Sequence, residues 1–216
     1  MTFPLLISFR ETLEAALIVS VILSSLQRLG QSRMMNVVWL GIAAGIAVSI
    51  GAAVSVQFLV SAIRDTTMEL SEGITLLLAS SIVGWISLWM LRQRKEHPQT
   101  IEATITSHAS RGYALGLFTL SFVSVAREGI ETALLLQAAF LQAESTYAPM
   151  GIAIGCTLAI AVSYGLSKGI RSLPLKTFFS VSAALLMILA VSLLIHGLYE
   201  LKGSGVFSML IATRLP

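Results

Sequence analysis

Apolar residues in this chain do not alternate with polar ones; they run on for twenty residues and more before a polar break. Six such runs recur, at about Phe3 to Leu29, Val37 to Ile63, Met68 to Leu91, Tyr113 to Leu141, Met150 to Ile170 and Leu175 to Leu201. Each is long enough to cross a hydrocarbon core of about 30 Å as a helix. No period-two alternation of the kind a membrane barrel shows is present. Backbone polar groups in lipid must be satisfied within the segment, so helices are the economical reading. The pattern predicts an all-α, polytopic transmembrane bundle of six helices in one domain over residues 1–216. Its parts are a first half over 1–92, a charged cytoplasmic linker over 93–110, a second half over 111–202 and a short tail over 203–216. The N-terminal run has no basic leader, and Arg10, Glu11 and Glu14 interrupt it, so it predicts a retained first helix rather than a cleaved signal.

Composition agrees with this reading. The 216 residues are 56% hydrophobic and 12% charged, about half the charge of an ordinary globular chain. That excludes a free cytosolic enzyme, a disordered tail and a nucleic-acid module. A lone cysteine, Cys156, excludes a disulfide scaffold. Because charge is scarce, its placement is informative. Nine bases fall in the connections after the first, third and fifth runs: Arg28, Arg33, Arg92, Arg94, Lys95, Arg111, Lys168, Arg171 and Lys176. The opposite side holds Arg64 and Lys202, with Arg214 in the tail. The bias predicts cytoplasmic odd-numbered connections and an outside N-terminus; the expected location is the plasma membrane, the inner membrane in a bacterium. Topology thus accounts for the basic loops without nucleic acid as a partner.

The sequence also repeats. Arg10-Glu11-Thr12-Leu13-Glu14-Ala15-Ala16-Leu17 answers Arg127-Glu128-Gly129-Ile130-Glu131-Thr132-Ala133-Leu134, at an offset of 117. Gly41-Ile42-Ala43-Ala44-Gly45 answers Gly151-Ile152-Ala153-Ile154-Gly155, at an offset of 110. The first half therefore carries seven extra residues between the two matches, a length expected in the basic loop around Arg28 to Met35. Three helices per half is an odd number, so the second half enters the membrane with the opposite orientation. Inverted repeats of this kind place a transport site near the midplane, at the interface of the halves. Gly-x-x-x-Gly alone is ordinary helix packing; two Arg-Glu-x-x-Glu copies in matching order are not.

Those copies put six ionisable side chains inside two membrane helices. At roughly 2.5 to 3.5 kcal/mol for a charge at a helix centre, six facing lipid would cost on the order of 15 kcal/mol. They must therefore face the bundle interior or a wet cavity. Glu11 and Glu14 are three positions apart, about 60° round a helix, and share a face, as do Glu128 and Glu131. Arg10 and Arg127 flank those faces about 100° away. Four carboxylates around one interface repel, and a hard multivalent cation offsets that repulsion, since oxygen ligands suit hard ions. The arginines can hold the carboxylates until a cation arrives. The plainer alternative is two structural Arg–Glu locks, which would leave an excess negative charge that packing does not require.

On the expected outer side, Asp65, Glu69, Glu72, Glu144 and Glu200 face Arg64 and Lys202, an acidic mouth able to concentrate cations. Glu69, Glu72, His196 and Glu200 are its candidate vestibule residues. Acids in the first turn of a helix also suit the helix dipole, and His196 also reads as a hydrogen-bonded core histidine. His97 and His108 fall in the hydrophilic linker, and the eight methionines are scattered.

With paired Arg-Glu-x-x-Glu motifs in the first and fourth helices, an outside N-terminus, Glu69-Leu70-Ser71-Glu72-Gly73 opening the third helix and the Trp85 to Trp89 region, the chain resembles the oxidase-dependent high-affinity iron permeases of fungi and bacteria. The resemblance implies a transporter, not an enzyme, with ferric iron as cargo and no resident cofactor. It implies Glu11, Glu14, Glu128 and Glu131 as ligands to the ion, with Arg10 and Arg127 in support. It also implies an external partner that oxidises ferrous iron, a multicopper oxidase in fungi and periplasmic iron-uptake proteins in bacteria. Family members usually have seven helices. Only Gly203 to Pro216 follows the sixth run here, too short to span as a helix, so a short variant or a chain cut before its last helix is expected. From charge alone, a carrier of manganese, ferrous iron or lead is the alternative. A membrane di-iron oxidoreductase would need Glu-x-x-His motifs, and none occurs; a purely structural helical subunit would show no metal dependence.

Overall fold

The computed structural model describes residues 2–64, 68–93, 114–142, 146–167 and 175–203. Among these, the chain forms six long helices, one short 3-10 turn and no strand. They are α1 (Thr2–Arg28), α2 (Met35–Arg64), α3 (Met68–Gln93), α4 (Ala114–Gln142), α5 (Ala148–Ser167) and α6 (Leu175–Gly203), with the turn at Ser32–Met34. Each apolar run is thus a helix. Four of them, α2, α3, α5 and α6, are long and apolar enough throughout to cross a membrane. At 27 and 29 residues, α1 and α4 are each about 40 Å long. Their three motif charges set them apart from the other four.

The end of α1 shows why the chain turns where it does. Gly30 adopts φ 68°, its N–H bonds to the Gln27 carbonyl at 3.1 Å, and the Gln31 N–H reaches the Leu26 carbonyl at 3.0 Å. This is the left-handed glycine cap that satisfies orphan carbonyls at a helix end. Of the seven extra residues of the first half, three lengthen α2 before Gly41 relative to α5 before Gly151; the rest of the comparison runs beyond Gln142, outside the described residues.

α1 and α4 run antiparallel through the centre. Ile7 shares an apolar cluster with Leu135, and Leu26 shares another with Leu117. α5 lies parallel to α1, and α2 parallel to α4, so each half lends a helix to the other. The glycines make these pairings close. A methyl group on Gly45 would lie 3.1 Å from the Phe122 carbonyl, 3.1 Å from the Ala126 nitrogen and 3.0 Å from Val125 Cβ. On Gly155 it would lie 2.6 Å from the Leu5 carbonyl, 2.9 Å from the Phe9 nitrogen and 3.1 Å from Ser8 Cβ. Leu5, Ser8 and Phe9 are Phe122, Val125 and Ala126 displaced by the same 117 positions that relate the charged motifs. The repeat in sequence is therefore a repeat of contacts. α3 and α6 form an antiparallel pair, with Gly73 against Leu201 at one end and Ser80 Oγ donating to the Ala190 carbonyl at 2.8 Å further along.

Two apolar clusters result. One gathers Ile7, Leu76, Val83, Ile86, Leu135, Leu186, Leu189 and Leu193 from α1, α3, α4 and α6. The other gathers Ile22, Leu26, Val38, Ile42, Leu117 and Val125 from α1, α2 and α4. Along both α1 and α4 the motif charges fall between these clusters, so a polar layer is enclosed by apolar ones.

Candidate metal centre

The antiparallel crossing of α1 and α4 brings the two motifs face to face. Among the described residues, Glu11, Glu128 and Glu131 each offer a carboxylate oxygen lying within 4.8 Å of the other two. All three are buried. Each keeps its Oε2 buried with no hydrogen-bond partner. A buried unpaired carboxylate oxygen is costly, and three such oxygens belong to this one group. Such a donor set suits a hard cation.

The arginines take up the other oxygens. Arg10 donates from Nη1 to Glu11 Oε1 and pairs through Nη2 with Glu14 Oε1 at 3.0 Å. Its side chain is 2% exposed. Arg127 donates from Nε to Glu131 Oε1 at 2.9 Å and lies 3.8 Å from Glu128 Oε1. Its side chain is 38% exposed. Identical motifs thus give unequal arginines, one enclosed and one open. Glu14 is the fourth motif carboxylate; it is held by Arg10, is a quarter exposed and stands outside the group of three.

Aromatic rings line the same region. The Arg127 guanidinium carbon lies 4.1 Å from the centroid of the Trp89 ring. That of Arg10 lies 5.9 Å from the Phe179 ring. Phe178 meets Phe9 edge-on at 5.2 Å and Phe179 at 5.4 Å. The end of α3 and the start of α6 therefore meet the motif arginines. Trp89 was visible in the sequence only as part of a similar region. A charged motif announces itself by its cost in lipid, whereas an aromatic residue in an apolar helix does not.

Gly129, inside the second motif, is pressed against Ser49 of α2: any β-carbon there would run into Ser49 Oγ and Cβ. Between α1 and α5, Thr12 Oγ1 lies 3.3 Å from Cys156 Sγ, and the Ser20 and Ser163 hydroxyls are 3.1 Å apart. Such polar contacts join helices where lipid offers no hydrophobic drive.

Glu72, His196 and Glu200, the expected vestibule residues whose side chains are described, do not join this group. Glu72 is exposed on α3, and His196 is exposed and Glu200 partly buried on α6. The contact of Gly73 with Leu201 sets the α3 start beside the α6 end, but among the described residues none of these joins the carboxylate group. Glu69 sits in the first turn of α3, its side chain outside the described set. Asp65, Glu144 and the linker with His97 and His108 lie outside the described residues.

Two charged helices that cross to enclose a carboxylate group within an apolar helical bundle fit a membrane protein that handles cations. Comparison with known proteins agrees: residues 1–207 match the model of the Iron permease FTR1 family, and the chain belongs to that family of transporters. It is 30% identical over 210 residues to "Ferrous iron permease EfeU" of Escherichia coli O157:H7 and of Shigella sonnei (strain Ss046), covering 96% of this chain and 76% of each relative. The protein of the same name from Yersinia pestis is 31% identical over 210 residues, covering 96% of this chain and 74% of that one. No solved structure matches.

Proposed function

We propose that the chain is an iron uptake permease in which Glu11, Glu128 and Glu131 bind the ion between α1 and α4, with Glu14 as a further carboxylate and Arg10 and Arg127 as counter-charges. The observation that carries the reading is the group of three buried carboxylates within 4.8 Å, each with an unpartnered oxygen. Four motif glutamates against two arginines leave two negative charges when all are ionised. A multivalent cation neutralises that excess in place, and low surrounding polarity strengthens the attraction. The six-helix arrangement forms two inverted halves, and alternating access follows from rocking one half against the other around the shared layer. In the orientation given by the basic loops, the N-terminus is outside, the membrane is the plasma membrane (the inner one in a bacterium), and Glu69, Glu72, His196 and Glu200 edge the outer mouth.

The cargo in this reading is ferric iron, delivered by an external ferroxidase or periplasmic iron-uptake proteins. All-oxygen ligands of net negative charge favour the harder, more highly charged ion. The names of the relatives favour a second reading, ferrous iron as the ion handled. Uptake of iron-55 into proteoliposomes separates the two when iron is supplied either as a ferric chelate or with ascorbate. Glu11→Ala and Glu128→Ala are each expected to lower uptake at least tenfold. Uptake equal to that of the unaltered chain would remove the carboxylate site. Uptake only under ascorbate would make the cargo ferrous.

A further inference from the structure

The two motifs share a sequence but not a surrounding. Arg10 is enclosed and spans two carboxylates, whereas Arg127 is 38% exposed and its Nε lies 2.9 Å from Glu131 Oε1 and 3.8 Å from Glu128 Oε1. Beside Arg127 stands the Trp89 ring, with 4.1 Å from guanidinium carbon to ring centroid, well inside the roughly 6 Å at which a cation is drawn to an indole face. Trp89 packs against the apolar cluster of α3, α4 and α6, so neighbours fix the position of its ring. A guanidinium meets a ring through its flat face and a carboxylate through its edge. The ring contact can therefore survive when the carboxylate contact is broken.

A cation among Glu11, Glu128 and Glu131 would share the carboxylates on which the Arg127 Nε now sits, at 2.9 and 3.8 Å. Like charges that close in a poorly polarisable interior repel strongly. Of the two arginines, Arg127 has the open side on which to yield. We propose that Trp89 is a positioning residue of the transport site: it holds Arg127 at the open edge of the carboxylate group and retains it there when an arriving cation displaces it from Glu128 and Glu131. This rests on the carboxylate site proposed above. Without cation, Arg127 is held by carboxylates whether or not the ring is present. With cation bound, the ring accounts for a larger share of its stabilisation. Only such a difference between states alters cation affinity.

The test uses the full chain, purified in detergent and titrated calorimetrically with Mn²⁺, a hard divalent probe that stays in one oxidation state. Trp89→Leu is expected to raise the Mn²⁺ dissociation constant about fivefold, in line with a partly exposed cation–ring contact, while Trp89→Phe, which keeps a ring, stays within about twofold. In an Arg127→Gln background, Trp89→Leu is expected to change affinity by less than about twofold. Equal weakening in both backgrounds would make Trp89 a packing residue and overturn the proposal, as would unchanged affinity for Trp89→Leu alone. Trp89→Met serves in place of Trp89→Leu should the latter not purify as a single species. If the unaltered chain and Glu128→Gln both fail to bind Mn²⁺, the carboxylate site itself falls, and this inference with it.

Discussion

A buried charge is stable only with its partner, and the two motif arginines differ in how far they depend on theirs. Arg10, at 2% exposure, is forked between Glu11 and Glu14. Removing it leaves the buried Glu11 and the quarter-exposed Glu14 without their cation, and breaking a buried pair typically costs about 3–5 kcal/mol. Arg127 is more than a third open to its surroundings, so its loss leaves a less enclosed pair without its partner. Arg10→Leu should therefore lower the thermal midpoint of the detergent-solubilised protein clearly more than Arg127→Leu. Equal shifts would show that the asymmetry of the two motifs has no energetic weight. Among the glutamates, Glu14 stands outside the close group, so Glu14→Gln is expected to reduce Mn²⁺ affinity less than Glu11→Gln or Glu131→Gln, as read by titration calorimetry. The repeat pairs Glu14 with Glu131, and nothing in the spacing distinguishes them; the distinction comes from which carboxylate the crossing angle brings inward.

Helix pairing in this molecule depends on close approach at small residues. Gly129 faces Ser49 so tightly that no β-carbon fits between α4 and α2. Gly129→Ala should push the helices apart and disturb Glu128 and Glu131, its neighbours in the motif, at the roughly 1–3 kcal/mol of an overpacked contact. Ser49→Gly should restore both thermal stability and uptake, because it vacates the space the new methyl group needs. Gly51, on the same helix, has nothing within 4 Å of a β-carbon; Gly51→Ala is the control and should not destabilise. Failure of Ser49→Gly to rescue Gly129→Ala would show that the strain arises elsewhere. The alternation of apolar runs and breaks was enough to read the helices themselves. The surplus of the first half was not: three of its residues lengthen α2 before Gly41 rather than the loop.

At the scale of the molecule, the halves exchange partners. α5 lies on α1 and α2 on α4, and the equivalent contacts of Gly45 and Gly155 follow the sequence repeat. The Ser20 and Ser163 hydroxyls, 3.1 Å apart across the α1–α5 seam, offer a direct check. With Cys156→Ser to remove the native thiol, Ser20→Cys and Ser163→Cys should form a disulfide on mild oxidation. Cleavage at a protease site placed between residues 93 and 114 should then leave the two halves joined on a non-reducing gel. Separate bands despite full oxidation would mean that each half packs within itself. The same exchange sets the carboxylate layer between two apolar clusters.

The membrane class, the helices, the repeat and the six charges set within two of those helices were all legible in the order of residues. Their reason is local: length, hydropathy and the cost of a charge in lipid depend on a segment and its solvent. Which three glutamates converge, which arginine lies open, and that Trp89 stands beside it could not be read that way. These depend on how α1, α3 and α4 cross, and a crossing is set by side chains far apart in sequence that pack against one another. The motifs name the chemistry; the tertiary contacts divide the roles among residues that are identical on paper.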